Sequence, residues 1–136
     1  MTDFRPECII NLHVEIRGKP GRMAWACSIT REKHGRVVLA RALLGEVPRE
    51  EAELAALEFG FSQANRFQQE KVEVTATFPL ESTLEGSGRK LAPELKIRRE
   101  SVLKAWKGFR LHKLGRMTGP EALALREAAE KAFIRH

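Results

Sequence analysis

Three short runs rich in apolar and β-branched residues, "CIINLHVEI" (8–16), "MAWACSITR" (23–31) and "RVVLARALL" (36–44), follow one another with only a few residues between them. Connections that short permit antiparallel neighbours and exclude parallel ones, because a parallel pair needs a crossover of about a dozen residues or more. "RGKPGR" joins the first two runs, with Gly18, Pro20 and Gly21 supplying turn geometry, and "EKHG" joins the next two, with Gly35 able to take positive φ. The chain therefore opens as an antiparallel meander.

A helix is expected next. Pro48 is tolerated in a first turn, where its missing N–H would be unpaired anyway, and Glu50, Glu51 and Glu53 complement the N-terminal dipole. Leu54, Leu57 and Phe61 recur at i, i+3 and i+7 as a core-facing stripe that fades between Asn65 and Gln69. "KVEVTATF" (71–78) then alternates as a strand, and "PLESTLEGSGRKLAP" (79–93) carries Pro, Ser and Gly at the density of an irregular connection. A basic helix resumes at Pro93, with Ile97, Val102, Leu103, Trp106 and Phe109 as its apolar stripe and Gly108 at its end. "FRLHKLG" (109–115) predicts a short strand, and "TGPE" (118–121) has the Thr and Glu of a capping box before the amphipathic "ALALREAAEKAF". The predicted order is βββαβαβα in one domain, residues 1–136. Helix-linked strands after a meander imply an α/β fold, a five-stranded mixed sheet with helices on both faces.

The remaining composition narrows the function classes. An apolar fraction of 43% and a charged fraction of 31% suit a globular chain, and no stretch approaches the ~18 apolar residues of a membrane span. "MTDFRPECII" lacks an export signal, so a cytoplasmic location is expected. Cys8 and Cys27 lie in strand-like runs and read as buried free thiols. The four histidines, His13, His34, His112 and His136, show no zinc-ligand spacing. Net charge is +6, unevenly distributed: Met1 to Gly88 holds 11 basic and 13 acidic residues, net −2, whereas Arg89 to Arg116 holds 10 and 2, net +8. Such a concentrated basic segment suits a polyanion-binding surface or a solvated helix face.

In element order and in four local matches the chain resembles the ribonuclease H family. "LHVEIRGKPGRMAWACSI" is similar to the family's first strand, which carries its first acid, with the glycine-rich turn and second strand. "EEAELAALEFGF" is similar to the helix whose Ala-Glu pair carries the second acid, "KVEVTATF" to the fourth strand, which in the family ends in Asp-Ser, and "FRLHKLGRMTGPEALALREAAEKAF" to the final strand and helix. The resemblance spans nearly the whole chain. It implies a two-metal phosphodiester hydrolase, in which clustered carboxylates hold two divalent ions about 4 Å apart.

Carried over by position, the family's first acid falls on Glu15 and its second on Glu53, while the third falls near Thr77 and the fourth near Leu123. Neither Thr nor Leu replaces an anionic ligand for a hard cation, and the chain's single aspartate, Asp3, precedes the first strand. The resemblance thus implies a degenerate member of the family, with no catalytic residues and no cofactor expected. Glu15 and Glu53, expected to face each other, remain vestigial candidates. Glu53 reads first as a first-turn helix carboxylate that favours the N-terminal dipole, and Glu15 equally as the partner of Arg17 or Arg22.

The leading expectation is nucleic-acid binding, to an RNA–DNA hybrid, a duplex or a single strand, through Arg98, Arg99, Lys104, Trp106, Lys107, Arg110 and Lys113. Trp106 suits either base or backbone contact or a place in the core. Two alternatives stand beside it: a nuclease using Mg2+ or Mn2+ in a site rebuilt with Glu81 or Glu85, and a domain docking an acidic protein.

Overall fold

The computed structural model describes residues 5–85 and 91–134. Strands β1 (Cys8–Arg17), β2 (Arg22–Arg31) and β3 (Gly35–Gly45) form the expected meander, followed by α1 (Arg49–Arg66) and β4 (Lys71–Ala76). The chain continues through α2 (Leu80–Glu85), α3 (Pro93–Gly108), β5 (Leu111–Leu114) and α4 (Gly119–Ile134). The five strands make one mixed sheet in the order β3-β2-β1-β4-β5. β2 pairs antiparallel with β1 and β3, while β4 pairs parallel with β1 and β5. Gly18 and Gly35, in the two hairpin turns, have φ of 86° and 70°, which a side chain would resist.

The two faces of the sheet differ in chemistry. Cys8, Ile10, Leu12 and Val14 of β1 and Trp25, Cys27 and Ile29 of β2 are buried with Leu54, Leu57 and Phe61 of α1 and Val102 and Trp106 of α3. The approach of α1 to β1 is close at Gly60, where a Cβ would lie 2.6 Å from Cγ2 of Ile10. α3 packs on α1: the Trp106 indole stacks on Phe61 with centroids 5.8 Å apart, and Phe109 meets Phe61 edge-on at 5.5 Å. On the opposite face α4 contributes a smaller apolar cluster, Leu125, Ala128 and Ala129 against Ala26.

One element departs from expectation. α2 occupies the first part of what reads as an irregular connection, because Leu80 and Leu84 form a short i, i+4 apolar pair that is buried. Thr83 bonds back to the carbonyl of Pro79 at 3.1 Å. The observed order is thus βββαβααβα, and residues 86–90 of that connection lie outside the described residues. The capping box before α4 is half made. Thr118 Oγ1 accepts the N–H of Glu121 at 3.3 Å, but the Glu121 carboxylate turns to the sheet and accepts from Ser28 and Arg36 instead.

Both cysteines are buried free thiols, and burial pushes each up to about 12. Among the described residues no helix is long and apolar enough to cross a membrane. At the start of β1, Glu7 Oε1 accepts the backbone N–H groups of Glu70 and Lys71 at 2.8 and 3.0 Å. Those donors hold its carboxyl below the ordinary value of 4.5.

Two predictions follow from this packing. Gly60→Ala should destabilise the fold by about 1–3 kcal/mol in urea unfolding, because the overpacking against Ile10 outweighs the gain of roughly 1 kcal/mol in helix propensity. Glu7→Gln should lower stability at pH 7. Since the folded-state pKa is depressed, wild type holds this advantage above pH 4.5 and loses it as pH falls through the folded value. Melting temperatures of the two proteins should therefore converge in acid.

Candidate functional site

β1 and β4 are adjacent and parallel, yet the chain leaves β1 toward β2 on one side and leaves β4 toward β5 on the other. That reversal is a topological switch point, and in open α/β sheets the crevice beyond the carboxyl ends of such strands is where ligands bind. Here that edge is formed by His13 to Arg17 of β1 and by Thr77, whose N–H bonds to the carbonyl of Leu12 at 3.1 Å just past β4.

His13 is buried and uses both ring nitrogens: Nδ1 lies 2.6 Å from Thr77 Oγ1 and Nε2 lies 2.9 Å from Glu15 Oε1. Glu15 Oε2 is 3.8 Å from Arg17 Nε. Arg17 pairs in turn with Glu130 of α4, which also meets Arg126 at 3.4 Å. A polar row therefore runs from β4 across β1 to α4. A second row lies beside it, from Thr75 to Asn11 to Ser28 to Glu121 to Arg36. In the β1–β2 register His13 stands opposite Ala26 and Asn11 opposite Ser28, so both rows occupy the face that α4 covers.

Glu53 belongs to the other face. It is only 3% exposed on α1, where its carboxylate accepts from Thr83 Oγ1 of α2 at 2.7 Å and from Arg49 Nε at 3.1 Å. The expected juxtaposition of Glu15 and Glu53 is thus corrected: strand alternation sends Glu15 to the α4 side, whereas α1 holds Glu53 on the other. Of the partners anticipated for Glu15, Arg17 is present, but Arg22 sits over the Phe133 ring at 5.7 Å. Leu123 is 57% exposed and brings no donor. Thr77 meets His13, a residue that the sequence comparison left aside. Its signal was present in "INLHVEI", where Asn11, His13 and Glu15 recur at period two within a strand that the fold makes central.

A pair of divalent ions needs several oxygen donors converging on one point. Glu53 already satisfies both of its oxygens within the protein, Glu15 is engaged by His13, and the two lie on opposite faces of the sheet. Among the described residues no group of three or more His, Cys, Asp or Glu side chains is placed to hold a metal ion. The residues present do not fit a two-metal site.

The basic segment divides by geometry. Arg98 grips Glu58 of α1 with Nε at 3.2 Å and a second contact from its NH2 group, and that hydrogen bonding raises its pKa. Arg110 lies 3.7 Å from Glu70, and Lys113 lies 3.2 Å from Glu73. Trp106 is corrected to a core residue: it is 9% exposed, pressed between Phe61 and His112. Lys104 and Lys107 are exposed with Lys96 on the outer side of α3, and Arg99 is half-buried. Lys104 and Lys107 line a shallow hollow with Glu100, Leu103 and Gly108.

No protein-family model matches the sequence, and no curated protein matches it. Solved structures do. The RNase H1 of the halophilic archaeon Halobacterium salinarum superposes with a TM-score of 0.77 at 20% identity, covering 95% of this chain and 98% of that one. LC11-RNase H1, solved in complex with an RNA/DNA hybrid, gives 0.74 at 21% identity over 94% and 97%. The N-terminal RNase H domain of a Mycobacterium tuberculosis protein gives 0.77 at 15% identity over 96% of each chain. With strand order, mixed pairing and helix placement in agreement, the chain has the ribonuclease H-like fold.

Proposed function

We propose that this chain is a nucleic-acid-binding ribonuclease H-like domain that does not perform two-metal phosphodiester hydrolysis. The observation that carries this reading is the His13–Thr77 hydrogen bond, where β4 ends beside the central strand β1. A neutral hydroxyl and an imidazole stand where a hydrolytic metal pair would need carboxylates. Binding is supported by the exposed lysines of α3 and by the company the fold keeps. Beside the hybrid-bound LC11-RNase H1, a foamy viral protease-reverse transcriptase structure in complex with dsDNA shares it, at 11% identity and a TM-score of 0.72.

The contact set is Arg99, Lys104 and Lys107, with Arg98, Arg110 and Lys113 contributing less because Glu58, Glu70 and Glu73 already offset their charge. Nucleic-acid backbones release counterions as cations neutralise phosphates, so the salt slope counts contacts. Three contacts give log K against log salt a slope of about −3 on duplex.

In an RNA–DNA hybrid assay with Mg2+ or Mn2+, cleavage should not exceed a no-protein control; metal-dependent cleavage abolished by Glu53→Gln would overturn the reading. Binding titrations across salt should give the slope above, flattened by Arg99→Gln, Lys104→Gln and Lys107→Gln together without loss of folding. If that variant binds as wild type does, and acidic protein competes where nucleic acid does not, the surface serves a protein partner instead. Trp106→Ala should cost roughly 3–5 kcal/mol of stability. Among molecules still folded it should leave the salt slope unchanged, as expected of a ring held in the core.

A further inference from the structure

With Glu15 as a carboxylate and His13 as a neutral imidazole, the Thr77–His13–Glu15 row has a single polarity. An ionised Glu15 only accepts hydrogen bonds, so His13 Nε2, 2.9 Å from Oε1, must carry the proton that joins them. In the neutral imidazole that leaves Nδ1 as the acceptor, and the Thr77 hydroxyl 2.6 Å away donates to it. A hydroxyl donating to an imidazole whose far nitrogen is held by a carboxylate is the arrangement of an activated nucleophile, its base and the group that orients the base.

Exposure runs in the order that such chemistry needs. Thr77 is exposed at the sheet's carboxyl edge, whereas His13 is buried behind it. The backbone N–H of Phe78, the residue after Thr77, has no hydrogen-bond acceptor among the described residues. An N–H one residue beyond a nucleophile is a common donor to the oxyanion formed on attack at a carbonyl.

We infer that Thr77 is a nucleophile for acyl transfer from ester substrates, with His13 as its general base and Glu15 as the residue that positions His13. Thr77 Oγ1 attacks the ester carbonyl carbon as its proton passes to His13 Nδ1. The carbonyl π pair moves onto oxygen, where the Phe78 N–H receives it. Collapse breaks the bond to the leaving alcohol, whose oxygen takes the proton from His13 Nδ1, and the acyl group stays on Thr77. Water then enters by the same steps in reverse order of proton movement, releasing the carboxylic acid and restoring the hydroxyl. This activity needs no metal and no nucleic acid, so it stands independently of the function proposed above.

The test uses p-nitrophenyl acetate with the full chain in a metal chelator, following p-nitrophenolate release and mapping acetylation by peptide mass spectrometry. One acetyl group should appear on Thr77, at a rate roughly a hundredfold above that of His13→Gln, the usual scale of general-base assistance. Thr77→Ser should label at least as fast as wild type, being less hindered, and guards against a variant that simply fails to fold. Glu15→Gln tests the positioning role through its imidazole 15N signals. Wild type should show His13 protonated on Nε2, and the amide, able to donate, should shift the proton to Nδ1 while acetylation slows. Acetyl groups confined to lysines, or equal labelling of His13→Gln and wild type with both folded, would overturn the proposal.

Discussion

The polar edge of the sheet depends on the parallel pairing of β1 with β4, from Cys8 opposite Val72 to Leu12 opposite Ala76. Parallel neighbours cannot be joined by a tight turn, so the chain must cross the sheet, and α1 is that crossing. Its length and apolar stripe cover the face formed by Ile10, Leu12 and Val14. Its close approach at Gly60 keeps the crossing tight against β1. The same pairing stops at Leu12 and Ala76, where β4 ends and β1 runs on, and so sets Thr77 beside His13, 64 positions away in the chain.

The two faces of that sheet are stabilised by different physics. On the α1 side apolar burial dominates and tolerates local imperfection, since its strength scales with area. On the α4 side the central strand offers Asn11, His13 and Glu15, and α4 supplies mostly alanine. Stability there depends on every polar group finding its partner. Asn11 illustrates the arrangement: its amide donates to Ser28 at 3.2 Å while its carbonyl accepts from Thr75, tying three strands together through side chains. An orphaned member of such a row costs about 1–3 kcal/mol, so the rows fix register and orientation more strictly than the apolar face does.

The sequence made the architecture readable because its signals are local. Turn glycines, the 54, 57 and 61 stripe and the alternation in "KVEVTATF" each name an element from neighbouring residues alone. α2 was hidden because one short pair, Leu80 and Leu84, carries its amphipathicity inside Pro, Ser and Thr composition. The site was harder to read for a geometric reason. Glu15 and Glu53 matched by position, but which face each would occupy depends on strand parity and on the approach of α1, which no local pattern contains. Trp106 posed the same difficulty, since basic neighbours say nothing about the Phe61 ring that covers it.

An edge built from clustered carboxylates repels itself until cations arrive. Here the edge alternates in charge and donor character along its length: Thr77, His13, Glu15, Arg17, Glu130 and Arg126 each meet a neighbour that can bond to them. Glu53 is similarly settled between Arg49 and Thr83. Along such an edge the carboxylates of Glu15 and Glu130 meet the protein's own imidazole and guanidinium groups. On the outer side of α3, Lys104 and Lys107 are exposed and stand apart from the glutamates that hold Arg98, Arg110 and Lys113. The chemistry proposed for the sheet edge and the polyanion contact proposed for α3 thus rest on separate groups of residues, and a substitution in one leaves the charges of the other in place.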